Sequence, residues 1–468
     1  MRRGLLVLAA AACALPLGGA SARVATPAHG PLVELVALLD GPPLAKRPGA
    51  DIDREQAEVE ARIRAAVPQA RIRWRYRLVL NGLAVVAPAD AARRIAAVSG
   101  VRAVQASVRY HRTLFRSPQV IGAPQLWGPT LSTAGEGIKI GIIDDGVDRT
   151  HPFFSPSGFT MPPGFPKGQR GYTSAKVIAA RSFPPAGASW RYAKLPFDPQ
   201  ESEHATHVAG ISAGDHDTTA AVAGSPKVSG VAPRAYIGNY RVLTIPTGAF
   251  GLDGNSPEIV AGIEAAVRDG MNVINLSLGE PEITPSRDIV VQAIDAAAQA
   301  GVVPVIAAGN DYDAVGPGSV GSPGSAPQAI TAAAASKGDV IAYFSSGGPT
   351  PVSLKLKPDV TAPGVSILSS VPAHDGSWRF LDGTSMAAPH VAGAAALLLQ
   401  RHPGWTVADV KSALVSTGNP VEGEGRSEVA PTREGGGMIW LPRADQPLVL
   451  ARPASLSFGL LRRGQTRR

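Results

Sequence analysis

Cysteine is nearly absent from this chain of 468 residues, which contains only Cys13. That residue lies within the first 22, where a basic start (Arg2, Arg3), a short apolar stretch and a small-residue site at 20–22 are typical of a secretory signal peptide, cleaved before Arg23. The cleaved chain would have no thiol, which excludes disulfides and cysteine catalysis. A lipid anchor through Cys13 is the weaker alternative to free secretion.

The chain also lacks long apolar runs, and its larger part, residues 117–468, has almost no net charge. No segment after the signal is apolar over a length that could span a membrane. The net charge of +8 is concentrated in residues 23–116, which contain 16 Lys+Arg against 8 Asp+Glu, whereas residues 117–468 contain 27 against 29. A nucleic-acid-binding protein is expected to carry its positive charge on its functional domain. Nucleic acid is therefore excluded as the partner.

Two regions differ in their patterning. Residues 31–110 predict a small α+β unit, with strands at 32–39, 78–86 and 101–104 and helices at 53–66 and 90–98. From residue 137 onward, apolar runs at 138–143, 235–242, 273–278, 302–308 and 329–334 alternate with helical patterns. This alternation predicts a doubly wound α/β fold with a mainly parallel sheet, whose ligand crevice lies at the carboxyl ends of the strands.

Capping residues, glycines and prolines mark the expected helix boundaries and irregular segments. One helix is expected to start at Ser256 as N-cap and to end at Gly270, a second to run from Ser286 to Gly301, and a third to span 406–418. Residues 152–199, with nine prolines and five glycines, predict a long irregular excursion. Residues 451–461 predict the first strand of a C-terminal β-domain that is cut off.

Polar residues in four segments fall near the expected crevice. Asp144 follows the strand at 138–143, His204 and His207 lie three residues apart, Asn310 ends the segment 302–310, and Ser385 precedes a run of small residues. Each has a simpler interpretation, as a turn former, a surface turn or a packing residue. Ser385, however, is expected at a helix N-terminus, because Pro389 is tolerated only near a helix start. Free N–H groups there favour a developing negative charge.

These positions lie in motifs that resemble those of the subtilisin-like serine proteases (the subtilase family, peptidase family S8). IIDDGV at 142–147, HATHVAG at 204–210 and GTSMAAPH at 383–390 each match a family motif, in the order Asp, His, Ser. AAGN at 307–310 is similar to the segment of the oxyanion asparagine, and NGLAV at 81–85 resembles part of the inhibitory propeptide. The similarity extends over about residues 30–445.

The resemblance implies a catalytic triad. Ser385 would be the nucleophile, His204 the general base and Asp144 the group that orients the imidazole, while Asn310 and the Ser385 N–H would form the oxyanion hole. The resemblance also implies a set of substrate contacts: Ser277, Leu278, Gly279, Ala308, Gly309, Gly321 and Asp145. A glycine floor beside Ala307 and Ala308 suggests an open apolar pocket.

Three positions depart from the family pattern. Asp145 stands where most members have Ser or Thr, although the kexin-like branch has Asp, which implies tolerance for Lys or Arg at P2. Ala205 replaces the usual glycine beside the base, where its methyl group would shift the imidazole or crowd the substrate. Phe153 stands where many members have a calcium-binding aspartate, so that site is not carried over. Structural calcium stays open, with no identifiable ligands, and catalysis is expected to need no cofactor.

The sequence thus predicts a secreted, monomeric serine endopeptidase made as a self-processing zymogen that acts on proteins and peptides. Residues 1–22 would be the signal peptide, 23–116 the inhibitory propeptide and a partner of the enzyme, 117–446 the catalytic domain and 447–468 the truncated β-domain. The junction would be cut within 111–117. Two alternatives stay open: a catalytically dead binding protein with this fold, and a metal-dependent hydrolase using His204, His207, His151 and the aspartates.

Overall fold

The computed structural model describes residues 30–78, 80–106, 117–248, 251–423, 425–461 and 464–466. Contacts between Cα atoms divide the chain into two compact units, Met1–Arg112 and Thr113–Arg468. The predicted signal peptide and residues 111–116 of the predicted junction lie outside the described residues. No helix within the described ranges is long and apolar enough to cross a membrane.

The first unit is an antiparallel four-stranded sheet with two helices, in strand order β2-β3-β1-β4. Its elements are β1 (Leu32–Leu39), α1 (Ile52–Ala66), β2 (Arg71–Tyr76), β3 (Gly82–Pro88), α2 (Ala92–Ala96) and β4 (Val101–Ala106). Leu35, Ile63 and Leu83 belong to its apolar core. The predicted strand at 78–86 begins only at Gly82. Strand β2 was not predicted, because most of its side chains are exposed and its sequence contains no run of apolar residues.

The second unit contains most of the strands. In chain order they are β5 (Lys139–Asp144), β6 (Lys167–Gly168), β7 (Val177–Ser182), β8 (Thr218–Thr219), β9 (Lys227–Val228), β10 (Tyr236–Arg241), β11 (Ile245–Thr247), β12 (Gly251–Asp253), β13 (Val273–Leu276), β14 (Val303–Ala307), β15 (Ile330–Ala335), β16 (Val360–Pro363), β17 (Ile367–Ser370) and β18 (Trp378–Leu381). Three pairs form small antiparallel ribbons: β8 with β9, β11 with β12, and β17 with β18.

Eight of these strands form one parallel sheet in the order β16-β15-β14-β13-β5-β10-β7-β6. After β5 the chain builds the β10 side of the sheet and only then returns to build the β13 side. The strand order therefore reverses beside β5. In open α/β sheets, ligands bind outside the carboxyl ends of the strands at such a switch point, and the last residue of β5 is Asp144.

Helices cover both faces of this sheet. The helices of the second unit are α3 (Ser117–Val120), α4 (His204–Ala213), α5 (Ser256–Arg268), α6 (Ile289–Gln299), α7 (Tyr312–Val315), α8 (Thr384–Arg401), α9 (Val407–Ser416), α10 (Pro431–Glu434) and α11 (Leu441–Ala444). Ile142 of β5 packs in the core that contains α4 and α8. The adjacent Ile143 packs in the other core, with α5 and α6. The prediction of a doubly wound, mainly parallel α/β fold is confirmed.

Several sequence-based boundaries were wrong. The second of the three expected helices is capped by Asp288, whose carboxylate accepts from the N–H groups of Val290 and Val291, rather than by Ser286. The excursion at 152–199 contains the buried strand β7, which its proline-rich flanks conceal. The strand expected at 451–461 is not formed, since those residues have no neighbouring strand to bond with and Leu456 and Leu460 stay exposed.

A buried ionic cluster joins β16 to α9. The Asp359 carboxylate, one residue before β16, meets the ammonium groups of Lys357 at 2.6 Å and Lys411 at 2.8 Å. Both ammonium groups also donate to the Ala329 carbonyl, at 3.1 and 2.7 Å, and Lys357 donates to the Thr331 hydroxyl at 2.8 Å. Burial outweighs the attraction of Asp359 and lowers the pKa of Lys357 to about 7.

Candidate active site

Asp144 ends the central strand and holds the imidazole of His204. Its carboxylate is fully buried. The Nδ1–H of His204 donates to its Oδ2 at 2.9 Å and lies 3.1 Å from its Oδ1, and the Asp145 N–H donates to Oδ1 at 2.7 Å. An imidazole held through Nδ1 presents Nε2 as the free base. Asp144 and His204 are 60 positions apart in the sequence. They meet because α4 starts beside the end of β5.

His204 is the first residue of α4, and its side chain keeps 32% of its surface exposed. Burial disfavours its charged form, but the charge and hydrogen bond of Asp144 outweigh burial, with further contributions from Asp145 and Glu203. Together these groups raise the pKa of His204 to about 9. The arrangement favours an imidazolium, the form that a general base adopts after it takes a proton.

Asp145 caps the helix that carries His204. One carboxylate oxygen accepts from the N–H groups of Glu203 (2.9 Å) and His204 (3.0 Å), and the other accepts from Ala205 N–H at 2.7 Å. Burial, followed by the charge of Asp144, raises the pKa of Asp145 to about 6, against the opposing effects of His204 and the N–H groups. Asp145 lines a cavity, but its oxygens are engaged with the backbone. A substrate contact through Asp145 stays a prediction.

The methyl group of Ala205 lies in the apolar core and is fully buried. It therefore packs away from the cavity. Of the two expected effects of this methyl group, crowding of the substrate is contradicted, because Ala205 lies on the core face of the helix. A shift of the imidazole stays a prediction.

Ser385 is the second residue of α8 and is half-buried. Pro389, four residues later, has no N–H to donate to the Ser385 carbonyl. The Ser277 hydroxyl donates to that carbonyl instead, at 3.0 Å. In return, the Ser385 hydroxyl donates to the Ser277 carbonyl at 3.3 Å. This exchange joins the head of α8 to the segment that follows β13.

Asn310 is held by its carbonyl oxygen, which leaves its amide available as a donor. Oδ1 accepts from the Thr384 N–H at 2.9 Å and from the Thr384 hydroxyl at 3.0 Å. A Cβ placed on Gly383 would lie 3.6 Å from both Asn310 Nδ2 and the Ser385 nitrogen. The two nitrogens therefore border one small space, which the missing side chain of Gly383 keeps open. Two N–H donors around one space are the elements of an oxyanion hole.

Two adjacent cavities extend from these groups. The larger, about 990 Å³, is bordered by His204 and Asp145. The smaller, about 720 Å³, is bordered by Ser385 and Asn310. The predicted substrate residues line these cavities: Ser277, Leu278 and Gly279 face both, and Ala308, Gly309 and Gly321 line the smaller one.

Gly321 is needed for a close backbone approach. A Cβ there would lie 2.1 Å from the Glu280 carbonyl oxygen. Its neighbour Ser322 exchanges two backbone hydrogen bonds with Glu280, at 2.8 and 2.9 Å. The glycine thus permits the pairing of two walls of the smaller cavity.

Two of the three histidines of the metal alternative, His151 and His207, are engaged with the backbone. The Nε2 of His151 donates to the Ser377 carbonyl at 2.8 Å, and the Nε2 of His207 lies 3.1 Å from the carbonyls of Ile367 and Arg379. Burial lowers the pKa of His207 to about 3. Within the described residues, no three His, Cys, Asp or Glu side chains gather as a metal-binding group.

Two contributions were not foreseen from the sequence: the clamp of Thr384 on Asn310 and the hydroxyl of Ser277. Thr384 directly precedes Ser385 in the matched motif, so the motif marks Thr384 as a candidate site residue. Nothing in the sequence indicates that its partner is Asn310, 74 positions away. Ser277 was expected only as a backbone contact.

Comparisons with known proteins agree with this geometry. The model of the subtilase family matches residues 135–436. Subtilisin E of Bacillus subtilis (strain 168) is 36% identical over 299 residues, which cover 63% of this chain and 65% of that protein. The subtilisin of Bacillus pumilus is 36% identical over 299 residues, with 63% and 90% covered.

The minor extracellular protease Vpr of Bacillus subtilis (strain 168) is 26% identical over 554 residues, which cover 84% of this chain and 64% of Vpr. The chain thus spans just under two thirds of the length of both subtilisin E and Vpr.

Proposed function

We propose that this chain, which belongs to the subtilase family, is a serine endopeptidase that hydrolyses peptide bonds through an acyl-enzyme on Ser385. The observation that carries the proposal is the hydrogen bond of 2.9 Å between His204 Nδ1 and Asp144, at the switch point of the sheet and in the cavity system that Ser385 borders. The similarity to proteins named subtilisin supports the same chemistry.

The first half-reaction forms the acyl-enzyme. Nε2 of His204 takes the proton of the Ser385 hydroxyl as its oxygen attacks the scissile carbonyl carbon. Asp144 stabilises the resulting imidazolium and keeps the ring oriented. The Asn310 amide and the Ser385 N–H receive the negative oxygen of the tetrahedral intermediate. The imidazolium then gives its proton to the leaving amine as the C–N bond breaks.

The second half-reaction releases the acid. Water enters the position that the amine has left, gives a proton to His204 and attacks the ester carbonyl. When this second tetrahedral intermediate collapses, the proton returns to the Ser385 oxygen and the free carboxylic product leaves. None of these steps calls for a metal or a cofactor.

The same proposal includes export and self-processing. The signal pattern at 1–22 supports secretion, and the relative Vpr is named an extracellular protease. The division of the chain into two compact units near residue 112 is compatible with a propeptide at 23–116 that the enzyme at 117–446 removes. The basic composition of the first unit would then serve the interaction with its own enzyme.

The test is labelling and hydrolysis by the secreted protein. A fluorophosphonate should label Ser385, casein should be cleaved by the wild type but not by Ser385→Ala, and the activity should not depend on added transition metal. A catalytically dead binding protein would show neither label nor cleavage. A metal-dependent hydrolase would cleave casein without the label and would lose activity with chelator.

A further inference from the structure

Apart from His204, every charged side chain that lines the larger cavity is a carboxylate. The lining contains six carboxylates and no lysine or arginine, although the chain has 27 Lys+Arg between residues 117 and 468. The carboxylates are those of Asp145, Glu201, Glu203, Asp253, Glu280 and Asp288. A cleft lined by one sign of charge focuses the field and raises the local concentration of oppositely charged ligands.

Three of the six carboxylates are available to a ligand. Asp145 and Asp288 accept from the N–H groups of helix N-termini, and Glu203 pairs with Arg379. Glu201, Asp253 and Glu280 come from three separate segments, lie at least partly exposed, and form no ion pair with any residue in the described part of the chain.

A second observation points to a hydrogen-bond donor as the occupant. Asp288 is 2% exposed, and its Oδ2 has no hydrogen-bond partner among the described residues. An ionised carboxylate oxygen can only accept a hydrogen bond, and a buried acceptor left unpaired is costly. The hydroxyl of Ser322, also 2% exposed and in the wall shared by both cavities, likewise has no partner there. A ligand that supplies N–H groups would satisfy both.

We infer that the larger cavity is a subsite for a cationic side chain, lysine or arginine, of the peptide substrate. The inference rests on the proposed peptidase function and names its substrate class. Glu201, Asp253 and Glu280 supply the available negative charge of the cavity lining, and an ammonium or guanidinium group brings N–H donors to it. The connecting segment 107–116 of the same chain, which contains Arg109, Arg112 and Arg116, is itself a peptide of this class.

The experiment compares matched peptides that carry lysine or norleucine at each position on the acyl side of the scissile bond. The variant Glu201→Gln, Asp253→Asn, Glu280→Gln removes the three available carboxylates. The control variant Glu136→Gln, Glu264→Gln, Glu422→Gln removes three exposed carboxylates that pair with arginines elsewhere, so the change in net charge is the same.

The wild type and the control should cleave the best lysine peptide at least roughly fivefold more efficiently than its norleucine counterpart, and added salt should reduce the difference. The cavity variant should cleave both equally. Equal cleavage by the wild type would overturn the subsite while leaving the peptidase function intact. Failure of the proposed function would be distinct: no peptide would be cleaved and Ser385 would take no fluorophosphonate.

A second inference concerns Asp145 and depends on the peptidase function too. Its two oxygens bind three consecutive N–H groups at the start of α4, including that of His204 itself. Asp144 binds the ring of the same histidine. We propose that Asp145 is a positioning residue, which fixes the backbone of the base while its neighbour fixes the imidazole. A serine or threonine hydroxyl has a single oxygen and cannot hold three N–H groups at these distances.

The variants Asp145→Asn and Asp145→Ser test this role with a peptide that has no basic residue. Asp145→Asn keeps the shape, but one acceptor oxygen is replaced by an NH2 donor, so at least one of the three backbone hydrogen bonds is lost. We expect kcat per titrated active site to fall roughly tenfold or more, because small misplacement of a catalytic group is costly, while KM changes little. Thr406→Ala, which removes the cap of α9, is the control and should lower Tm without changing kcat.

A pH profile separates positioning from a merely structural cap. The charged groups that bear on Asp145 are Asp144, His204 and the buried Arg241. Since Asp145 helps to raise the pKa of His204, its neutralisation should move the acid limb of kcat/KM to lower pH. An unchanged profile with unchanged kcat would overturn the positioning role. A change confined to KM for peptides with basic P2 would do so as well, and would make Asp145 a substrate contact.

Discussion

Single residues decide whether this site can act as a base. The imidazole of His204 is held by the buried carboxylate of Asp144, and with the further effect of Asp145 and Glu203 its pKa is raised to about 9. In the proposed mechanism, only the neutral imidazole can accept the proton of Ser385. The charge that stabilises the transition state therefore also sets the pH at which the free enzyme is competent.

We expect kcat/KM to rise with pH through a midpoint well above 6.5, the ordinary pKa of histidine, and near 9. The reason is that His204 must lose its proton before it can act. The same shift implies that stabilisation by the charged His204–Asp144 pair is complete below 6.5 and is lost as the pH rises through about 9. A rate profile that is already flat at neutral pH would contradict this expectation.

The Asn310 amide is expected to matter for rate and not for folding. Asn310→Ala should lower kcat by roughly 10²–10³-fold, a magnitude known from loss of the equivalent donor in subtilisin, with KM nearly unchanged. Steady-state kinetics on one neutral peptide measures it. Thr384→Val removes only the hydroxyl of the clamp and keeps the N–H, so its loss should be smaller. Equal losses in both variants would mean that the clamp, rather than the amide, carries the effect.

At the scale of elements, helix α8 gains its anchor from a residue that helices usually avoid. Pro389 leaves the Ser385 carbonyl without a helical donor, and the Ser277 hydroxyl takes that place. Ser385 is thus fixed to the segment after β13, which lines both cavities. This link makes the position of Ser385 depend on the position of that cavity wall.

Ser277→Ala should destabilise the fold by about 1–3 kcal/mol, since it leaves a carbonyl at the head of α8 without its donor. Urea unfolding in a Ser385→Ala background, which prevents autolysis, measures the change. Thr173→Ala, which removes an exposed hydroxyl that donates to the Arg170 carbonyl, serves as the comparison and should cost much less. Equal losses would show that the Ser277 hydroxyl has no special role.

The cluster of Lys357, Asp359 and Lys411 should be a major source of stability between β16 and α9. Lys357→Met removes one of two cations from a buried carboxylate, and we expect a loss of about 3 kcal/mol. Arg268→Met breaks an exposed pair with Glu264 and should cost less than about 1 kcal/mol. Similar unfolding midpoints for the two variants would refute the importance of burial here.

Particular elements show how far the sequence alone reaches. The apolar runs predicted β5 and β10 to within two residues at each end, and two of the motifs contain Asp144 and His204, which the structure joins by a hydrogen bond. Strand β7 was missed because its prolines and glycines lie on both sides of a short run. The cap of Asp145 was missed because its partners are about 60 positions away, and only the packing of α4 against β5 makes them neighbours.

At the scale of the whole molecule, the two units differ in charge. In the proposed maturation, the second unit removes the first. The first unit carries the excess of basic residues, and the second contains the acidic cavity. A precursor that cuts its own connecting segment requires a working Ser385.

Ser385→Ala should therefore accumulate as an uncleaved precursor. The wild type should yield a mature chain whose N-terminus lies within residues 111–117. Gel electrophoresis and N-terminal sequencing of the secreted protein measure both. Normal maturation of purified Ser385→Ala, in a host that lacks extracellular proteases, would refute self-processing.

The ionic cluster at Asp359 also bears on how the protein withstands its surroundings. The counter-ions of this carboxylate are side chains of the same polypeptide, so neither dialysis nor a chelator can remove them. Media that strip bound ions from proteins therefore leave the charge of the Asp359 carboxylate compensated. Reagents that modify amines are the relevant hazard, and they reach Lys357 and Lys411 only after the surrounding structure has opened.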